Sequence, residues 1–442
     1  MMKSLLIRGG RIIDPGWGID ETGSLLVREG KISWLGKAEE IPPQPDYDVL
    51  RAEGLVVCPG FIDLHCHLRE PGFEEKETIA TGTRAAARGG FTTICCMPNT
   101  SPPLDNRVTV DYVKSKAAAA GVVRVLPIGC VSKGRRGEEL VDMAELASAG
   151  VIGFSDDGDP VGDAGLMRRA LERSRALGLP IIDHCEDKAL TRGGVVNEGV
   201  ISARLGLTGM PAAAEENMVA RDLELAEQTG VRVHIAHVST AGSVDLIRRA
   251  REKGVAVTAE VTPHHLTLTE EEVVRCGTAA KVNPPLRTVK DIQALIQGLK
   301  DNVIDVIVTD HAPHTEAEKT GGLDAAPFGI SGFETALGSL MRLVHDGRLN
   351  LAALISRLTC EPARIIGDRC GRPGKPGTLA IGAAADVTVF DPNREWVVDT
   401  GAFASKGRNS PLAGSLLKGR VMATIFEGKL VYKDDSVEVE GK

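Results

Sequence analysis

Aromatic side chains are scarce in this sequence: Trp, Tyr and Phe together make up 3% of 442 residues, against 50 glycines. That balance suits a fold with many short strand–loop–helix junctions better than an aromatic-rich β-sandwich core. Long hydrophobic runs are missing too, and none approaches the ~18 residues that would raise a membrane span. There is no basic excess either. The net charge of −8 leaves no cationic footprint for nucleic acid, although a local arginine can still bind a small anion. Cysteine is present but unpatterned: nine residues, an odd number, with Cys95-Cys96 adjacent and no CxxC pair. Met1 to Arg11 carries neither an apolar signal core nor a small-residue cleavage site. Reduced, mostly buried thiols and a cytoplasmic location are therefore expected.

What is there is enough apolar material for a sizeable core, 43% hydrophobic against 25% charged. The length fits one large barrel with an accessory domain as well as it fits three small domains. Residues 1–57 read as short strands at Ser4–Arg8, Arg11–Asp14, Ser24–Arg28 and Lys31–Gly36, punctuated by Gly9-Gly10, Pro15-Gly16 and Glu29-Gly30. Residues 373–442 are strand-rich again: Asp386–Phe390, Trp396–Val398 and Arg420–Phe426, with a hairpin at Glu427-Gly428 into Lys429–Tyr432. Neither end is large enough for its own core, so the economical reading is one small β-sandwich domain assembled from both termini.

Between them, over 58–372, short apolar runs alternate with helical patterns such as Val108–Ala120 and Ala241–Lys253. The candidate strands are Gly60–His65, Phe91–Cys96, Arg124–Gly129, Val151–Ser155, Pro180–His184, Val231–His237, Val255–Val261 and Ile304–Thr309. This predicts the α/β class and, within it, a (β/α)8 TIM-like barrel. A doubly wound sheet is the alternative, disfavoured because polar residues stand at the C-terminal ends of many different strands.

In a strand, residues i and i+2 share a face, so His65 and His67 project together while Cys66 points away. Alone, a His-x-His is weak, since two hydrogen-bonded polar residues near a loop would look the same. Four more strand ends change the weighing: Ser155-Asp156-Asp157-Gly158, Asp183-His184-Cys185-Glu186, His234-Ile235-Ala236-His237 and Thr309-Asp310-His311. Together they offer more imidazole and carboxylate than one tetrahedral ion needs, which points to two metals sharing a bridge. By strand parity His234 faces away from His237. Asp63 shares the His65 face one layer deeper and could orient an imidazole. His264, His265 and His345 read as structural.

The segments DLHCHLREPG at 63–72, MPNT at 97–100, DHAPHTEAEK at 310–319 and APFGISGFET at 326–335 resemble the bacterial type I dihydroorotases of the urease-related amidohydrolase superfamily. The resemblance runs through essentially the whole chain; Cys66 is its one small departure. It implies two Zn2+ per subunit: His65, His67 and Asp310 on one, His184 and His237 on the other, bridged by an aspartate and a hydroxide. Relatives with a carboxylated lysine on the fourth strand differ here, because this sequence has no lysine there. Asp157 is the expected bridge, with Asp156 the open alternative. Asp310 is the expected proton shuttle. Arg69 suits the substrate's carboxylate, unless it pairs with Glu70 or Glu74. The resemblance adds Asn99, Asn283, His314, Phe328 and Gly329 as substrate contacts, although Asn99 and Asn283 could be turn formers and His314 a solvated loop residue.

The implied reaction is reversible closure of N-carbamoyl-L-aspartate to L-dihydroorotate and water in pyrimidine synthesis. Residues 315–331 could form a mobile loop over the pocket. Allantoinase and dihydropyrimidinase chemistry are the enzymatic alternatives; both groups normally carry the strand-four lysine. A metal-free scaffold for aspartate transcarbamoylase is the non-enzymatic one, and the retained ligand set opposes it. The resemblance further implies a homodimer, with association to aspartate transcarbamoylase open.

Overall fold

The computed structural model describes residues 3–37, 40–41, 47–367 and 376–441. Its centre is mixed α/β with parallel sheets. Phe61–Cys66, Phe91–Cys96 and Arg124–Pro127 pair in parallel. Ile181–Asp183, Val233–Ile235, Val257–Val261 and Val306–Ile307 form a second parallel set in that order. Isolated parallel bridges link the two sets at both edges: Phe154 pairs with Gly129 and with Ile181, and Cys66 pairs with His311. The expected strand at Val151–Ser155 is thus reduced to one bridged residue on each side. Phe61–Cys66 and Phe91–Cys96 are buried along their whole length, as parallel strands covered by helices must be.

The helices start where side chains satisfy their free amides. Asn106 accepts from the Thr109 amide ahead of Arg107–Ala120, and Thr240 does the same for Ala241–Glu252. Their inner faces meet the strands in one large apolar cluster that includes Phe91, Leu171, Ile247 and Phe333. A second cluster holds Ile62, Leu64, Leu126, Ile152, Ile182 and Val308. The Phe61–Cys66 ladder shifts register between Asp63 and Cys66, so strict alternation is broken just where the histidines begin.

Both termini build one nine-stranded sheet. Val387–Val397 pairs antiparallel with Val56–Pro59, which in turn lies beside Ser4–Asp14. The sheet therefore reaches Pro59, two residues past the expected edge at 57; the other edge, at 372/373, lies outside the described residues. Ser4–Arg8 and Arg11–Asp14 are one strand, Ser4–Asp14, rather than two. Gly9-Gly10 is a bulge within it, not a turn. There the strand changes partners, from Tyr47–Arg51 to Val56–Val57. A Cβ at Gly10 would come within 2.5 Å of the Val57 side chain, so the switch needs glycine. Asp386–Phe390 and Trp396–Val398 likewise merge into one bulged strand.

All eight described cysteines are free thiols, six of them buried. No described helix is long and apolar enough to cross a membrane.

Candidate metal centre

Six residues expected as ligands converge at the C-terminal ends of the parallel strands. His65 and His67 follow from Phe61–Cys66, Asp157 from the Phe154 bridge, His184 from Ile181–Asp183, His237 from Val233–Ile235 and Asp310 from Val306–Ile307. All six are buried. Two of them sit at positive φ, His237 at 28° and Asp310 at 45°, as does Arg69 at 61°. Side chains other than glycine avoid that region, and such strain concentrates at sites where geometry is over-determined.

Asp157 stands at the middle of the cluster. Asp157 Oδ2 lies 3.5 Å from His67 Nε2. Asp157 Oδ1 lies 3.4 Å from His65 Nε2, 3.6 Å from His184 Nδ1 and 3.5 Å from His237 Nε2. Asp310 Oδ1 lies 3.0 Å from His67 Nε2 and 3.7 Å from His65 Nε2. Asp156 is turned away, accepting from the amides of Val131 and Ser132 and from the Ser132 hydroxyl. Of the two aspartates, only Asp157 stands between the imidazoles.

The donor set fits divalent cations. His65 Nε2 and Asp157 Oδ1 are buried without hydrogen-bond partners, a costly state unless something else binds them. His184 Nδ1 and His237 Nε2 face each other at 2.8 Å, two ring nitrogens aimed at one place. Clusters of one potential ligand atom each are found for His65, His67 and Asp310, and for His65, Asp157 and His237. Four imidazoles and two carboxylates are the ligand chemistry of zinc, with manganese or cobalt also served.

The electrostatics say the same. Burial alone would raise Asp157, yet His65, His184 and His237 outweigh it and hold the carboxyl well below its ordinary range. Asp310 is held down likewise, burial being overcome by His67 and His65. Burial lowers His184, but Asp157 and Glu186 more than reverse this and raise it to about 9. Without an ion, then, His184 carries a proton at neutral pH. An ion held at His184 Nδ1 would displace it, and the expected outcome is an apparent metal affinity that climbs by roughly tenfold per pH unit per displaced proton up to about pH 9. Calorimetry of loading in buffers of different ionisation enthalpy measures that proton release directly.

Two carboxylates behind the histidines were not foreseen from the sequence. Glu260 accepts at His65 Nδ1, 2.7 Å away, and Glu186 lies 2.9 Å from His184 Nε2. Each holds one ring nitrogen and leaves the other for the centre. Burial would raise Glu260, but His65 and His234 overcome it and bring the carboxyl down to about 2. Asp63, the expected orienting group, touches no imidazole: it accepts from the Thr309 amide and hydroxyl and from the His65 amide. The Glu186 signal was present, in the Asp183-His184-Cys185-Glu186 run. For Glu260, two residues before Thr262 on another strand, there was none.

A cavity of about 520 Å3 opens over the centre and is lined by Arg69, Asn99, Asn283, His314, Phe328 and Gly329. Arg69 pairs with neither Glu70 nor Glu74. Its Nε donates to the Pro313 carbonyl, its Nη2 approaches His314, and Nη1 has no protein partner among the described residues. Burial lowers Arg69 to about 10, so it stays charged. Asn99 Oδ1 accepts from His67 Nδ1, and Asn283 donates to Glu186. His314 is buried rather than solvated, its Nε2 2.8 Å from the Phe328 carbonyl, and burial with Arg69 nearby lowers it to about 3. The 315–331 loop holds a short helix, Glu316–Lys319. It is tied down by Lys281, which donates to the Leu323 and Ala326 carbonyls, and by Lys319, which donates to the Pro327 carbonyl.

Gly329 sits at φ +128°, where a Cβ would lie 2.7 Å from the Ala312 carbonyl. Gly329→Ala should cost about 1–3 kcal/mol of stability through strain and, by shifting the cavity wall, raise KM. A thermal melt and a substrate titration check both.

The fold puts this chain in the structural class of the hydantoinases. L-Hydantoinase (dihydropyrimidinase) from Arthrobacter aurescens superposes with a TM-score of 0.87 at 26% identity, covering 100% of this chain and 98% of that one. A D-hydantoinase superposes at 0.83 with 25% identity, covering 99% and 97%. Sequence similarity is more selective. Residues 54–243 match the dihydro-orotase-like family model. The dihydroorotase of Pelotomaculum thermopropionicum is 53% identical over 97% of this chain and 99% of its own. That of Thermoanaerobacter sp. is 51% identical over 98% of each, and that of Aquifex aeolicus 48% over 98% and 100%. The chain belongs to the dihydroorotase family.

Proposed function

We propose that this chain is a dihydroorotase, interconverting N-carbamoyl-L-aspartate and L-dihydroorotate for pyrimidine synthesis, on a centre of two zinc ions. The observation that carries it is Arg69, a half-buried cation with an open guanidinium edge, beside the Asp157-centred imidazole cluster. The substrate of this reaction carries a carboxylate on its ring, which dihydrouracil lacks. In this reading the central strands close a (β/α)8 barrel between residues 58 and 372, and the sheet from both termini is the accessory domain.

His65, His67 and Asp310 hold one ion and His184 and His237 the other, with Asp157 between them. Zinc bound there supplies an activated water and polarises the ring amide carbonyl. The protein's own residues do the rest. Arg69 grips the carboxylate through a bidentate fork. Asn99, Asn283 and His314 orient the ring, and the Phe328–Gly329 wall shields it. Asp310 Oδ1 faces His67, while Oδ2 has no protein partner among the described residues. Oδ2 takes the proton of the attacking water and returns it to the leaving ring nitrogen.

The test is turnover of L-dihydroorotate, dihydrouracil, hydantoin and allantoin by protein purified without chelator, with metal content measured alongside. Dihydroorotate alone should turn over, with two equivalents of zinc. Chelation should remove activity and zinc restore it. Turnover of dihydrouracil but not dihydroorotate overturns the assignment.

A further inference from the structure

Glu260 is fully buried on Val257–Val261, and both of its oxygens are engaged. Oε1 lies 2.7 Å from His65 Nδ1 and accepts from the His237 amide at 3.2 Å. Oε2 lies 2.9 Å from Nε2 of His234, whose Nδ1 is 2.8 Å from Thr258 Oγ1. One carboxylate thus joins a residue of each half of the metal centre and a histidine that holds no metal.

We propose that Glu260, braced by His234, is a positioning residue that fixes the tautomer of His65 and the spacing of the two metal half-sites, and so sets metal affinity. The inference rests on the metal reading above. A neutral imidazole has a single N–H, and a carboxylate at Nδ1 keeps it there. Nε2 is then a lone pair directed at the gap beside Asp157 and Asp310. Without Glu260 the N–H can sit on Nε2, a form that cannot ligate. The bond to the His237 amide acts on the other half, since it holds a residue whose φ of 28° is otherwise disfavoured. His234 occupies the second oxygen and so stops the carboxylate from rotating, while Thr258 fixes the His234 ring in turn.

An ordinary core role would be different: a buried carboxylate neutralising two imidazoles for stability alone. Glu260→Gln separates the two. It keeps size and one acceptor, but its amide N–H2 must face either His65 or His234.

The experiment compares wild type, Glu260→Gln, Glu260→Asp and His234→Leu. Each is stripped and retitrated with zinc against a chromophoric chelator, with thermal melts of stripped and loaded protein and the visible spectrum of the cobalt-substituted form. Glu260→Gln should bind zinc about 10–100-fold more weakly, with an altered cobalt spectrum. At saturating zinc its kcat should fall with KM little changed. His234→Leu, which frees Oε2, should show a smaller loss in the same direction. Wild-type zinc affinity in Glu260→Gln, with only the stripped protein's melting temperature lowered, overturns the proposal. Should that variant fail to fold, wild-type affinity in both Glu260→Asp and His234→Leu overturns it equally. A wild-type protein that binds no zinc refutes the metal reading first, a result distinguishable from either.

Discussion

Asp310→Asn is expected to lower kcat by about 10²–10⁴-fold with zinc content largely kept. The amide retains an oxygen to face His67, where Oδ1 now lies at 3.0 Å, so the first half-site keeps its shape. What it loses is the capacity to accept a proton and pass it on. Because that proton moves only during reaction, KM for dihydroorotate should change far less than kcat. Single-turnover kinetics with metal analysis on the same preparation decide the matter. Near-normal turnover with both metals bound would end the proton-shuttle assignment, whereas loss of metal would show the carboxylate needed as ligand before it is needed as base.

Arg69→Met is expected to act on the other parameter. Removing one member of a buried, hydrogen-bonded charge pair costs about 2–5 kcal/mol, so kcat/KM for dihydroorotate should fall by roughly 30- to 10³-fold or more, chiefly through KM. Arg69→Lys should rescue only part of this, because an ammonium cannot reproduce a planar fork. The partner contacts sharpen the expectation. With Nε on Pro313 and Nη2 beside His314, the guanidinium is held in one orientation before substrate arrives, and that pre-organisation is lost with lysine. Any residual activity on dihydrouracil, which lacks the carboxylate, should be unchanged. Equal losses on both substrates would mean that Arg69 supports the site's structure rather than reading the carboxylate.

How much of this was legible beforehand varies with the range of the interaction involved. Periodicity located all the central strands, since burial on both faces forces apolar runs onto them, and Phe91–Cys96 came out with its observed ends. It split Ser4–Asp14 at Gly9-Gly10, because a glycine pair reads as a turn unless one knows that the strand changes partners there. The imidazoles and aspartates at strand ends could be named because their chemistry is unusual for such positions. Asp156 and Asp157 could not be told apart by spacing; only the amides of Val131 and Ser132, which take up Asp156, separate them in space.

The sequence by itself determined the class of fold, the reservoir of candidate ligands and the presence of a cation suited to a carboxylate, because these follow from local period and residue chemistry. Tertiary structure alone decided which carboxylates stand behind the histidines. Asp63 is near His65 in sequence yet turns to Thr309, and Glu260, 195 residues away, reaches Nδ1 instead. A hydrogen bond depends on where two strands lie side by side, and that adjacency is a property of the tertiary packing rather than of either segment.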